Sequence, residues 1–401
     1  MTTFNRLALA GVLMGATALP ALAKDVHYIM CGDERQAEKD SVAEFMAANP
    51  DIKVNLEFLP WGTCSEKAMQ MAAAGDPPAL AYIGSRFLKQ LAKADQILPI
   101  ELTPEQEAAY QPGILSTVED GGKRWGFPHA FSNKAMFVNC DLFEQAGLEC
   151  KVPETWDEMK AAATAIKEKT GVAGIGIAGK DFDNTMHMFL DFMYSNGGTV
   201  IDTVTGEVKF DDVPARETLQ LYADLVPVMA EGATALERGN LQALFEDGKI
   251  GMYVTGPWGM GQHAAKNFKA GPIPHGPSGG SGSILITDSI AVFKGSGVEE
   301  EAMKLAAHLT SGKSQYGLDK EWGLPPIQKY EEQGITDLYY NAPEWQLFLA
   351  TTPTGKPEPM VYNFASLQAV FTNMIQGVLL GEITDINAAV TEAAEGIKAI
   401  Q

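Results

Sequence analysis

The sequence predicts an α/β protein built from two successive strand-and-helix units. Three observations lead there. Strand-like and helical patterns alternate in the order βαβαβ over residues 26–94. A second alternation runs from residue 138 to 254, and beyond a stretch dense in Gly, Pro and Ser over 271–282 a further strand and helix follow. The length, 401 residues with 46% hydrophobic and 20% charged, suits two or three ordinary cores at roughly 100–200 residues each.

The elements follow in order. Residues 26–30 read as a buried strand, and 34–49 as a helix with Val42, Phe45 and Met46 on its apolar face. Pro50-Asp51 turns the chain into a strand over 53–59, and a helix over 65–74 stops at Gly75-Asp76-Pro77-Pro78. A third strand, 80–83, precedes a third helix, 87–94. That order makes a parallel twisted sheet covered by helices. Ligands of such sheets bind at the carboxyl ends of the strands, which here are followed by the loops 31–35, 60–65 and 84–86. Those loops carry Asp33, Glu34, Trp61 and Arg86. In the second half a helical pattern begins at Val138. Thr155-x-x-Glu158 forms a capping box opening a helix over 155–167, and a short buried strand is expected over 174–178. Helices are expected over 186–196, 213–230 and 241–246, a strand over 250–254, then a strand over 289–293 and a helix over 299–310. Helical runs over 364–399 close the chain, with no internal repeat.

Charge and cysteine usage narrow the function. With 30 Lys+Arg against 51 Asp+Glu, the net charge is −21. That argues against nucleic acid and anionic membrane as partners, both of which require clustered cations. Residues 1–23 read as a secretory leader: Arg6, an apolar run over 7–19, Pro20, then Ala21-Leu22-Ala23 for cleavage after Ala23. The run is too short to span a membrane, which takes about 20 residues. Export makes pairing of the four cysteines the expectation, and three connectivities are open. Neighbouring parallel strands would bring Cys31 and Cys64 together, and Cys140 and Cys150 bracket a short helix, so those two pairs are expected.

The catalytic-looking patterns carry little. Gly174–Lys180 nearly spells a phosphate loop, but Asp181 stands where Ser or Thr must hold magnesium. Gly276-Pro277-Ser278-Gly279-Gly280 matches G-x-S-x-G in a loop, without the strand and helix that such a nucleophile needs. His263, His275 and His308 are scattered, so no metal site is expected. A carboxylate pair for glycoside hydrolysis leaves no mark in sequence spacing, so an exported glycoside hydrolase is the rival reading. What remains suits a hydroxylated ligand. Trp61 and Trp258 follow strand ends and Trp322 precedes Gly323-Leu324-Pro325, while Asp33, Glu34, Ser85, Arg86, Asp181 and Asp183 offer polar partners. An indole stacks on the C–H face of a sugar ring. Trp258, flanked by Gly256, Pro257 and Gly259, is the leading candidate for that role, whereas Trp156, inside its capping box, reads as structural.

Several segments in order carry a resemblance. They are Trp125-Gly126-Phe127-Pro128, the run Asn139-Cys140-Asp141-Leu142-Phe143 continuing to Gly147, and Pro153-Glu154-Thr155-Trp156-Asp157-Glu158. Phe245-Glu246-Asp247-Gly248-Lys249 and Gly256-Pro257-Trp258 complete the set. In this order and spacing the chain resembles the family 1 extracellular solute-binding proteins of carbohydrate ABC importers, the group containing maltose-binding protein. The resemblance covers essentially all of the chain after the leader. It implies a type II periplasmic-binding-protein fold: two α/β lobes with parallel-rich sheets flanked by helices, and a ligand cleft between them. The lobes are then 24–130 plus 287–340 and 131–286 plus 341–401, with crossings near 130–132, 284–287 and 339–341. It further implies a periplasmic monomer with no catalysis and no cofactor, which captures a sugar, polyol or substituted glycoside and hands it to the permease subunits of an ABC importer. The family's ligand contacts fall near Asp33 and Glu34, on Gly84-Ser85-Arg86, near His129 and Ser132, on Trp258 and around Tyr362. Ser85 and Ser132 replace acids of the maltose-binding member, and 365–368 lacks its aromatic. A ligand other than maltose is therefore expected, and Arg86 with His129 leaves room for an anionic glycoside. A glycerol-phosphate-type solute is less favoured, with no Arg near Tyr362-Asn363.

Overall fold

A computed structural model describes residues 23–111, 113–202 and 205–400; except for Ala23, the expected leader lies outside them. Three parallel strands begin the chain: β1 (Lys24–Cys31), β2 (Ile52–Leu59) and β3 (Leu80–Gly84), with β1 between the other two. The helices Gln36–Ala48 and Cys64–Ala73 connect them. Residues 127–132 form a strand that the sequence pattern did not reveal, β4 (Phe127–Ser132). It is buried along its whole length, so it shows no alternation to read.

A central three-stranded antiparallel sheet organises the second half. β5 (Ala135–Asn139) lies between β6 (Met252–Thr255) and β7 (Phe268–Gly271). The chain then returns to the first sheet through β8 (Ile284–Val292), antiparallel to both β3 and β4. The pairing sets Asp288 opposite Gly84, the last residue of β3.

Four expectations are corrected. Val138 lies in a strand, not a helix; all five residues of β5 are buried, and the helix begins only at Cys140, capped by the Asn139 side chain. In place of the strand expected over 174–178 the chain makes single bridges, Ala173 to Ile250 and Ile175 to Met229. Gly174 is pressed so closely to the Ala163 backbone that an added Cβ would lie 2.2 Å from its carbonyl oxygen. The helix expected over 213–230 ends at Leu225: Val226 keeps helical dihedrals, but Pro227 has no N–H with which to continue the hydrogen-bond ladder. The Thr155 cap is present, but Glu158 accepts from the Glu154 N–H instead of closing a box on Thr155.

The apolar side chains gather into two large cores. One holds Tyr28, Ile29, Leu80, Ile83, Ile290, Val292 and Leu305; the other holds Met136, Phe189, Phe192, Tyr222, Phe371 and Ile397. Core membership changes between Ala130 and Ala135, between Ile284 and Ile290, and between Leu324 and Phe348. Disulfides join Cys31 to Cys64 and Cys140 to Cys150, the expected pairs. No helix among the described residues is long and apolar enough to cross a membrane.

Candidate functional site

A cavity of about 1330 Å3 opens between the two cores, with walls from both. Its first wall starts where β3 ends. Gly84 leads into the tight turn Ser85–Phe87, which folds Arg86 back over Gly84; a Cβ there would lie 2.4 Å from the guanidinium. A side chain at 84 would have to displace the guanidinium from this position. Tyr82, Trp61 and Trp322 meet pairwise at ring separations of 5.7 Å, making an aromatic plate, and the Arg35 guanidinium lies 5.1 Å from the Trp322 ring. Trp61 keeps 46% of its surface exposed, unusual for so large an apolar side chain.

The opposite wall carries Trp258, which begins a short helix after β6. Gly256 lies so close to its indole that an added Cβ would come within 2.3 Å of the ring. Lys134 and Arg238 approach that ring to 5.1 and 4.9 Å. Trp258 itself packs against the first core, so this loop of the second unit touches the first.

An ionic cluster ties the walls together. Arg86, whose side chain is 11% exposed, donates to Asp183 at 2.9 Å and has Glu358 at 3.5 Å and Asp288 at 3.7 Å. Asp183 starts the helix Asp183–Ser195, whose buried residues belong to the second core, while Asp288 lies on β8. His187 bonds Glu358, and the Tyr82 hydroxyl donates to Asp288 at 3.0 Å. Burial works to lower the Arg86 pKa, but Glu358, Asp183 and Asp288 outweigh it and hold the guanidinium above its ordinary value. Burial raises Asp288, with Arg86 opposing; Glu358 lies below its ordinary value because Arg86 and His187 overcome burial.

The chain matches the family described as bacterial extracellular solute-binding protein over residues 32–316. A putative binding protein of Brucella abortus (strain 2308) is 30% identical over 365 residues, 89% of this chain and 87% of that one. The chain belongs to the bacterial extracellular solute-binding protein family. Solved structures agree on the fold. A tagatose-bound ABC transporter solute-binding protein of Thermotoga lettingae superposes with a TM-score of 0.82 at 23% identity, covering 94% of this chain and 99% of that one. A maltose-bound T. maritima protein gives 0.80 at 22% identity, covering 94% and 100%. The two-lobed type II fold implied by the resemblance is therefore the fold of this solute-binding protein.

Of the nominated residues, Asp33, Trp61, Gly84, Arg86, Ser132, Asp181, Asp183, Trp258 and Trp322 line the cavity of this solute-binding protein. The other five lie outside that lining. Glu34 is exposed and pairs with Lys39. The Ser85 hydroxyl is buried against that of Ser289, 2.8 Å away. His129 is wholly buried between Gln315 at 2.8 Å and Glu38 at 3.3 Å. Gly256 backs the Trp258 ring, and Tyr362 takes the Lys89 and Lys93 ammonium groups over its ring. The room expected for an anion beside Arg86 and His129 is thus already filled by the protein's own carboxylates and amide. Ser278 of the G-x-S-x-G pattern donates to Glu217 and has no imidazole partner. Among the described residues no group of three or more His, Cys, Asp or Glu is arranged to hold a metal.

Sequence reasoning missed Arg35, Lys134, Arg238, Asp288 and Glu358. Arg35 had a signal, since it ends the 31–35 loop already singled out. The others had none, because they lie in connections or along a strand and meet only in the folded chain.

Proposed function

We propose that this solute-binding protein captures a sugar or sugar derivative between its lobes and delivers it to the permease subunits of an ABC importer. The observation that carries this is the cavity: both cores wall it, four tryptophans line it, and its polar groups are distributed on both sides. Its volume exceeds the ~300–1,000 Å3 of ordinary small-molecule sites, which suits an elongated guest. Tagatose and maltose occupy the two solved relatives described above. The contacts on this chain are Asp33, Trp61, Gly84, Ser132, Trp258 and Trp322, with Arg86 and Asp183 joining the walls. The lobes are 24–130 with 287–340 and 131–286 with 341–401. The protein acts as a periplasmic monomer, with its leader removed after Ala23. A ligand gains contacts from both walls only when they are close, so it shifts the population toward the closed form.

A thermal-shift screen of neutral and substituted sugars, followed by small-angle scattering with the best of them, tests this. A ligand confined to the native state adds about 2.7 kcal/mol at a hundredfold excess over Kd. The expected result is a raised melting temperature, a smaller radius of gyration and recovery of the sugar unaltered. Unchanged dimensions at saturation overturn closure, and consumption of the sugar would establish the hydrolase instead.

A further inference from the structure

Two cations in the cavity lack the compensation that Arg86 has. Lys134, on the link between β4 and β5, is 6% exposed, and its ammonium donates only to the Ser132 hydroxyl, at 2.9 Å. Among the described residues Arg238 makes one side-chain hydrogen bond, a long one of 3.5 Å to the Gln242 amide oxygen. Among the described residues neither has a carboxylate within 4 Å, whereas Arg86 in the same cavity has three. Both gather at the Trp258 ring, and the Trp258 Nε1–H is buried without an acceptor. The arrangement therefore offers donors only: ammonium, guanidinium and indole N–H.

We infer that these three groups form an oxyanion subsite, so the ligand is an acidic sugar carrying a carboxylate, sulfate or phosphate. The inference rests on the sugar-binding reading and specifies its substrate class. The protein's own acids do not fill this role. Asp191 acts on Lys134 from beyond 4 Å and accepts from the Ile284 N–H; Asp288 and Glu358 are engaged by Arg86. Burial lowers the pKa of both Lys134 and Arg238, the mark of desolvated cations whose carboxylate partners are too distant to offset it. A buried cation without a counter-charge is costly, and a ligand oxyanion would supply charge and acceptor lone pairs together. A neutral hydroxyl supplies only the lone pairs. Ring stacking is left to the Trp61, Tyr82 and Trp322 plate on the other wall.

Matched pairs test the subsite on the mature chain by calorimetry: galacturonate against galactose, and glucuronate, glucose 6-sulfate and glucose 6-phosphate against glucose. The expected result is one acidic member binding at least 100-fold more tightly than its neutral partner; which arm responds identifies the oxyanion. In Arg238→Gln, and independently in Lys134→Gln, that ratio is expected to fall below tenfold, with folding checked by circular dichroism. A neutral partner binding as tightly as its acid overturns the subsite and leaves the sugar reading standing. Silence of both members in every pair, together with silence of neutral and acidic oligosaccharides in the thermal-shift screen, overturns the sugar reading, and the subsite with it.

Discussion

Replacing Arg86 with Met tests the ionic cluster directly. Arg86→Met removes one cation from a site where three carboxylates lie within 3.7 Å of it. The thioether chain can still lie along Phe87 and Phe364, whose rings flank the guanidinium, so little packing is lost. Breaking a buried pair by deleting one partner costs about 3–5 kcal/mol, because the remaining charge is left uncompensated. Tyr82 still holds Asp288 and His187 still holds Glu358, which places the expected loss near ~3 kcal/mol at pH 7.5. The pH dependence has a definite sign. In the native protein Glu358 is depressed, so its stabilisation is present above its unfolded pKa and fades as pH falls through the folded value. In the variant Glu358 and Asp288 lose the lowering that Arg86 supplies, so both pKa values rise and acid relieves the uncompensated charge. Both effects narrow the gap between native and variant as pH drops. Urea unfolding at pH 7.5 and 5.0 measures it. A loss under ~1 kcal/mol at pH 7.5, or a gap that widens at pH 5.0, would refute the claim that Arg86 neutralises this cluster.

Two further outcomes follow from the same geometry. Trp258→Ala removes an aromatic surface facing both the cavity and the first core, and is expected to weaken the best panel sugar more than tenfold, ~1.4 kcal/mol, in calorimetry; an unaltered Kd removes Trp258 from the site. Cys31→Ser/Cys64→Ser opens a loop closed across 33 residues and is expected to lose roughly 3–4 kcal/mol, whereas the Cys140–Cys150 pair, closing only 10, stabilises by roughly 1 kcal/mol less. Equal melting temperatures for the native and doubly substituted chains would contradict the first of these.

The first sheet was legible because its strands carry apolar runs bounded by turn residues, and their parallel order follows from the helices between them. That logic placed Cys31 and Cys64 at adjacent strand ends, where the disulfide joins β1 to the start of the second helix. It failed at β5 for a physical reason. A central strand buried on both faces has no alternation, so Ala135–Phe137 give no strand signal and Val138-Asn139, running into a helix, read as its start. The stretch at 174–178 failed the other way: its composition suits a strand, but Gly174 is held against Ala163 and the pairing breaks into single bridges.

The site divides along a similar line. Trp61, Trp258 and Trp322 were legible because large aromatics beside Gly or Pro, two of them after strand ends, are conspicuous in one dimension. Charge was not legible, because its meaning depends on what stands opposite. Arg35, Arg86 and Arg238 all line one cavity and are the same residue type. Arg86 meets Asp183, Asp288 and Glu358, drawn from a helix start, a strand and a connecting segment, and so acts as a fastening between the walls. Arg238, with no acid within 4 Å among the described residues, has its charge available to a guest. In the sequence, Arg86 together with His129 leaves room for an anionic glycoside. Partner geometry transfers the anion-binding role to Lys134 and Arg238, whose local sequence shows nothing unusual. A guanidinium already surrounded by carboxylates has no field left with which to attract another, so the ligand's charge must be read from the cations left uncompensated.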